Sequence, residues 1–396
     1  MIPNFVQDSF KKLEAYCRKE CYKGWDPYDG LNSRLFQSIP IVRDISAARL
    51  VWIQLIKRSP VNLRRPLLIA RDYNPKGLAL FLSGYCNLYH TNKNPGILET
   101  IKFLADKLIE LQSSGFSGSC WGYNFDWQAR AFFQPRFTPT VVATTYAAYA
   151  LLDSYEVLPE ARFLETACEA KNFILNDLNR TYDAAGDYAF SYSPLDETQI
   201  FNASLLGSRL LSRIYHYMKE TELIEAARRS VAFCCKNQNA DGSWSYGTLP
   251  FHSWIDNFHT GYNLECLEAY REFSGDAGFD KAIEKGFAYY IENFFSEEGI
   301  PKYYNCSAFP IDPHNTAQLI ITVSRLGRFE KHRVMIDRVL RWTIDNMQHE
   351  TGYFYYQKTN RFTNRIPYIR WTQAWMYYAL TEYMRQAERP NYRPVV

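Results

Sequence analysis

Four segments of this chain align with one another at a nearly constant interval, and no other sequence feature restricts the fold as strongly. "IFNASLLGSRLLSRIY" from Ile200, "NFHTGYNLECLEAY" from Asn257, "PHNTAQLIITVSRL" from Pro313 and "IRWTQAWMYYALTEY" from Ile369 superpose with Asn202, His259, Asn315 and Trp371 in equivalent positions, 57, 56 and 56 residues apart. A weaker copy, "TVVATTYAAYALLDSY", begins at Thr140. Each repeat contains two segments with helical apolar periodicity, for example 198–218 with 221–236, 254–273 with 277–293, and 313–327 with 331–347. A short connection such as "FSGDAG" or "LGRFE" joins the two helices of a unit, and a long one such as "QNADGSWSYGTLPFHSWID" leads to the next unit.

Alternating short and long connections between antiparallel helices put every long loop at the same end. Helices near 5–20, 42–57, 76–91 and 96–113 are expected to supply the remaining hairpins. About six hairpins in a circle make an all-α (α/α)6 toroid with long aromatic-rich loops on one face. An open superhelix of stacked pairs is the alternative, but its repeats are usually shorter. No linker, charge block or low-complexity run divides the chain, so residues 1–396 are read as a single toroid domain.

Helical hairpins of this length, with loops such as "GSWSYG" and "WGYNFDW", resemble the six-hairpin glycosidase superfamily and the related terpenoid-cyclase and protein-prenyltransferase toroids. The stretch "QNADGSW", Gln238 to Trp244, is similar to the glutamine–tryptophan repeat of the cyclases. The resemblance concerns architecture and is not specific to one activity.

Several chemistries have no support in the sequence. The aspartate-rich D-x-D-D and D-D-x-x-D motifs of cyclases are absent, and Asp256, His259 and Cys266 do not match a prenyltransferase zinc site. No nucleotide-binding glycine motif, H-E-x-x-H or G-x-S-x-G is present, so no cofactor and no metal are expected. A net charge of +3 without a basic stripe argues against nucleic acid. No apolar run approaches the about 18 residues of a membrane span, and the charged N-terminal stretch lacks a signal-peptide core. A cytoplasmic protein with reduced cysteines is therefore expected. Oligomeric state is not readable.

Carbohydrate is the best-motivated substrate. Sugar rings stack their C–H faces on aromatic side chains and offer hydroxyls to polar ones, and 65 Phe, Tyr and Trp residues exceed what a core alone needs. The loop aromatics Trp121, Tyr123, Trp127, Trp244, Tyr246, Trp254, Tyr355, Tyr368 and Trp371, with His314, Arg365 and Arg370, are the expected substrate-binding residues. The last loop is locally basic, which suits an acidic sugar. Glycoside hydrolysis needs two carboxyls about 5–10 Å apart, and Asp126, Asp256 and Asp312 are candidates, although Asp256 and Asp312 also stand where helix N-caps belong. Lyase or epimerase chemistry on a uronate needs instead a His or Tyr base near a cation or amide, for which His259 with Tyr262 is the candidate. The expectation is a carbohydrate-active protein acting as hydrolase, lyase or epimerase at the toroid mouth. A terpenoid-cyclase-like enzyme and a non-catalytic glycan- or protein-binding scaffold are the alternatives.

Overall fold

Three helices of this chain are enclosed by protein along nearly their whole length. In the computed structural model, which describes residues 1–130 and 132–388, α5 (Pro75–Thr91) is buried except for its last three residues, α13 (Pro313–Arg325) except for Arg325, and α15 (Ala374–Glu388) except for Glu388. With α7 (Val141–Val157), α9 (Phe201–Met218) and α11 (Asn257–Ser274) they form a closed ring in which α5 packs on α7, α7 on α9, α9 on α11, α11 on α13, α13 on α15, and α15 on α5 again.

An outer layer surrounds this ring. Helices α6 (Pro95–Glu110), α8 (Ala161–Asn172), α10 (Thr221–Lys236), α12 (Asp280–Phe294) and α14 (Phe329–Met347) each pack on the inner helix that precedes them. Their sequences are correspondingly one-sided: α6 buries Ile101, Leu104, Ala105 and Leu108, the i, i+3, i+4, i+7 stripe of a helix that meets the core on one face. The fold is thus the all-α (α/α)6 toroid, and an open superhelix is excluded by the contact between α15 and α5.

The sixth outer helix is α1 (Asn4–Lys19), so the last hairpin is assembled from the two ends of the chain. The long loops show why α1 fits there. The loop after α10 turns at Gly242, whose φ of +95° is open to glycine and whose added Cβ would lie 2.4 Å from the Lys285 carbonyl of α12. Gln238 ties that turn down, donating to the carbonyls of Gly242 and Ala282 at 2.9 Å each. The loop after α14 repeats the device with Gly352 pressed on the Lys12 carbonyl and Gln348 donating to Gly352 and Ser9, so α1 occupies the position of the next outer helix. Within "QNADGSW", Trp244 donates from its indole to the Cys234 carbonyl near the end of α10, satisfying one of that helix's orphan acceptors.

The region between α1 and α5 departs from expectation. A helix near 42–57 does form, as α4 (Ser46–Arg58), but it is not a toroid helix; with the short α2 (Arg34–Gln37) and α3 (Pro40–Asp44) it packs on the loops of one face. Trp52 stacks on Phe36 at 5.1 Å, and Leu31, Phe36 and Ile53 form a small core separate from the main one. Buried Arg64 anchors this excursion, donating to Asp29 and to the Asp26 carbonyl at 2.8 Å each while its guanidinium lies over the Tyr368 ring. Three short antiparallel ribbons, β1–β2 (Trp127–Gln128 with Phe133–Gln134), β3–β4 (Arg180–Tyr182 with Tyr188–Phe190) and β5–β6 (Gln357–Lys358 with Thr363–Asn364), stiffen long loops. No described helix is long and apolar enough to cross a membrane.

Candidate functional site

Because each long loop enters an inner helix, the inner helices all begin at the loop face. A cavity of about 1010 Å³ opens there, lined by first-turn or entry residues of all six: Lys76 of α5, Val142 of α7, Asn202 of α9, Phe258, His259 and Tyr262 of α11, His314 of α13, and Arg370 and Trp371 leading into α15. The partial positive ends of six helices therefore converge on it. Tyr123, Phe125, Trp127, Tyr246, Trp254, Tyr303 and Tyr304 of the long loops complete its aromatic wall, and Leu55 and Lys57 of α4 stand at its edge.

Asp256 caps α11, accepting from the His259 backbone N–H at 3.0 Å through Oδ1. Its other oxygen meets His259 Nδ1 at 2.7 Å and accepts from the Trp254 indole at 3.0 Å. A carboxylate on Nδ1 fixes that nitrogen as the protonated one and leaves Nε2 with the lone pair. The Asp256 side chain is buried while that of His259 is 20% exposed, so the imidazole is the member of the pair that a ligand can reach. Tyr246 packs on His259 with ring centroids 4.7 Å apart and stacks on Trp254 at 4.5 Å, which holds the ring in place.

One helical turn further on, the Tyr262 hydroxyl lies 2.7 Å from His314 Nε2. His314 is sandwiched between Phe258 at 4.6 Å and Trp375 at 4.4 Å, both nearly parallel to it. Burial first, and then the neighbouring basic groups Lys76, His259 and Arg370, hold His314 well below its usual range, so it is a neutral imidazole. Burial pushes Tyr262 up and keeps it a phenol. The pair is a neutral phenol–imidazole hydrogen bond whose hydroxyl-bearing ring sits beside His259, the two rings 5.7 Å apart.

Two buried basic side chains back these groups. Arg370 donates to both oxygens of Asp26 at 2.5 and 2.8 Å and lies over the Tyr123 ring. Lys76, 4% exposed, places its Nζ 4.3 Å from the centre of the Tyr146 ring and 5.2 Å from those of Tyr262 and Trp375. Burial, assisted by Arg370, lowers the Lys76 pKa well below the ordinary value. Lys57, Arg58 and Arg130 bring the Lys and Arg side chains of the lining to five, against the single carboxylate of Asp256 among the described residues. Among the described residues no group of three His, Cys, Asp or Glu side chains stands close enough to hold a metal ion.

The structure gathers some of the sequence-predicted residues and disperses others. Asp256, His259, Tyr123, Trp127, Tyr246, Trp254, His314, Arg370 and Trp371 all line the cavity. Asp312 is fully buried away from it: it caps α13 through the His314 N–H and accepts from Gln357 and the Trp371 indole at 2.9 and 2.8 Å. Asp126 is spent on the Arg136 backbone N–H at 2.8 Å, and the two aspartates do not pair with Asp256 across the mouth. Trp121 and Trp244 are core residues; the Trp121 indole donates to the Leu108 carbonyl at 2.7 Å near the end of α6, as Trp244 does for α10. Tyr368 is buried under Arg64, and Tyr355 lies against Arg365 and Tyr353 on the outside of the last loop, so these two tyrosines and Arg365 stand off the cavity.

Sequence reasoning did not select Lys76, although a signal was present. "NPK" at 74–76 matches "DPH" at 312–314: a capping side chain, proline in the first turn, then the cavity residue. Asn202 was aligned as a repeat position and indeed lies in the wall.

No family model matches the sequence, and no curated protein matches it. Solved structures do resemble it in fold. Cellobiose 2-epimerase from Bacillus thermoamylovorans superposes with a TM-score of 0.61 at 11% identity, covering 80% of this chain and 88% of that one. A polysaccharide lyase gives 0.62 at 11% identity over 98% and 99%. The family 76 α-mannanase from Bacteroides thetaiotaomicron gives 0.59 at 14% identity over 79% and 87%. At such identities the likeness concerns the path of the backbone, and on that path this chain is an (α/α)6 toroid.

Proposed function

We propose that the protein is a carbohydrate-active enzyme that moves a proton on and off a sugar carbon, as a lyase or epimerase does, and that its substrate carries a carboxylate. The observation that carries this reading is the composition of the cavity: one carboxylate, already bound to a histidine, beside a phenol–imidazole pair and among five Lys and Arg side chains, of which Lys57, Arg58 and Arg130 stand towards its edge. Hydrolysis by paired acids wants two carboxyl groups facing the scissile bond.

In this reading His259 Nε2 accepts the proton from the carbon next to the substrate's carboxylate, and Asp256 stabilises the imidazolium that forms. Negative charge then builds on the substrate's carboxylate oxygens, where Arg370 and the helix N-termini oppose it and Lys76 can donate a hydrogen bond. Tyr262 supplies the compensating proton, to a leaving oxygen in elimination or to the opposite face of the carbon in epimerisation; once product leaves, water in the open cavity returns a proton to Tyr262 and takes the one held by the partly exposed His259. Trp254, Tyr246 and Trp127 offer stacking faces for neighbouring sugar rings.

The test is incubation with uronate-containing and neutral oligosaccharides in deuterium oxide, followed by proton NMR. Exchange at the carbon beside the carboxylate, or an unsaturated product, is expected, and it should vanish in His259→Ala. Cleavage to a new reducing end with no carbon-bound deuterium and no unsaturation would make the enzyme a hydrolase and defeat the proposal.

A further inference from the structure

The excursion that does not belong to the toroid has an unusual surface. Ten of the large apolar side chains that stand exposed on this protein fall between Leu35 and Leu68, among them Ile41 at 79%, Val61 at 64% and Leu55 at 61% exposure. Helix α4 shows why this is not an ordinary solvent face: it buries Ile53 and Ile56 on one side and still presents Val51 and Leu55 on another, i and i+4 apart. A soluble monomer rarely leaves such a concentration of branched aliphatic residues in water without a partner.

The charges around it are one-sided. Residues 34–68 contain Arg34, Arg43, Arg49, Lys57, Arg58, Arg64 and Arg65 against a single acid, Asp44, although the whole chain carries only +3. Arg64 is consumed by Asp29 inside the fold; the others are exposed or half-buried around the apolar residues. A second copy of the chain would set like charges against each other across a two-fold axis. A surface that offers apolar volume and negative charge together suits both features.

We propose that residues 34–68 dock the protein on an anionic lipid bilayer, with Ile39, Ile41, Ile45 and Val61 entering the headgroup boundary and the flanking arginines meeting lipid phosphates. Aliphatic insertion combined with basic attraction is the recipe for reversible interfacial binding. Val51 and Leu55 of the same helix also line the cavity, so docking brings the cavity mouth to the lipid surface. This inference is independent of the reaction at the site.

The experiment is flotation of the full chain with vesicles of phosphatidylcholine alone or mixed with phosphatidylglycerol, at low and high salt. The variants are Ile41→Asp with Ile45→Asp and, separately, Arg34→Glu with Arg43→Glu, each checked for an unchanged thermal midpoint. Binding to the anionic vesicles only, weakened by salt and at least tenfold by either double variant, is expected. Absence of binding to anionic vesicles, or binding that both variants leave intact, overturns the proposal. So does sedimentation as a dimer that the apolar variant dissociates while vesicles go unbound, which would make the face a self-interface.

Discussion

Asp312 offers a measurement that separates a carboxylate working for the fold from one working for the reaction. It is fully buried and accepts three hydrogen bonds, from the His314 backbone N–H, Gln357 and the Trp371 indole, yet its loss of hydration outweighs them and pushes its pKa from 3.8 to about 6. The folded form then holds a proton that the unfolded form has already released. Between pH 3.8 and about 6 stability falls as pH rises, by about 1.4 kcal/mol per unit and about 3 kcal/mol in all, and above that range the loss is complete. Asp312→Asn removes the titration while its amide oxygen can keep the cap. Urea denaturation of both proteins at several pH values from 4 to 7 should show the variant gaining about 3 kcal/mol relative to the parent across that range. Asp29, held near 7 by burial despite Arg64, contributes to both proteins and cancels. A difference that is flat with pH, or that grows in the opposite direction, would refute the claim that desolvation dominates at Asp312.

The site and the seams give further tests. His259→Ala should lower kcat by about 10²–10⁴, and Asp256→Asn should do nearly as much while leaving the helix cap and the melting temperature close to the parent's, since the amide oxygen still accepts from the His259 N–H; steady-state rates beside thermal denaturation check both. Trp254→Ala, at the half-open rim, should raise KM by about tenfold with little effect on stability. Trp121→Ala should instead cost about 3–5 kcal/mol in denaturant titration without acting on KM in the protein that remains folded. Gly352→Ala forces a side chain against the Lys12 carbonyl at a φ of +107° and should cost more than about 1 kcal/mol, with the first hydrogen exchange gained in α1.

What could be read from the sequence depended on whether a periodic constraint reached the residue. Inner helices such as α13 recur at a fixed interval, so their positions followed from pattern, whereas the closure into a toroid rests on the α15–α5 contact and on α1 completing the last hairpin, which no repeat announces. The positions Asn202, His259 and Trp371 were recoverable from the same pattern, because entry into an inner helix brings a residue near the mouth, although the equivalent Asn315 is fully buried and spends its amide on the Lys302 carbonyl instead. Loop aromatics obey no period. Trp121 and Trp244 look like Trp127 and Trp254 in the sequence, and the distinction rests on where the indole N–H finds an acceptor: two meet orphan carbonyls at the ends of α6 and α10 and become core, while Trp254 meets Asp256 and stays in the cavity. The same test separates the aspartates. Asp256 and Asp312 both cap inner helices, but only Asp256 spends its second oxygen on an imidazole that remains open to the cavity, and it is that oxygen, rather than the cap, that makes one of two look-alike residues a candidate for chemistry.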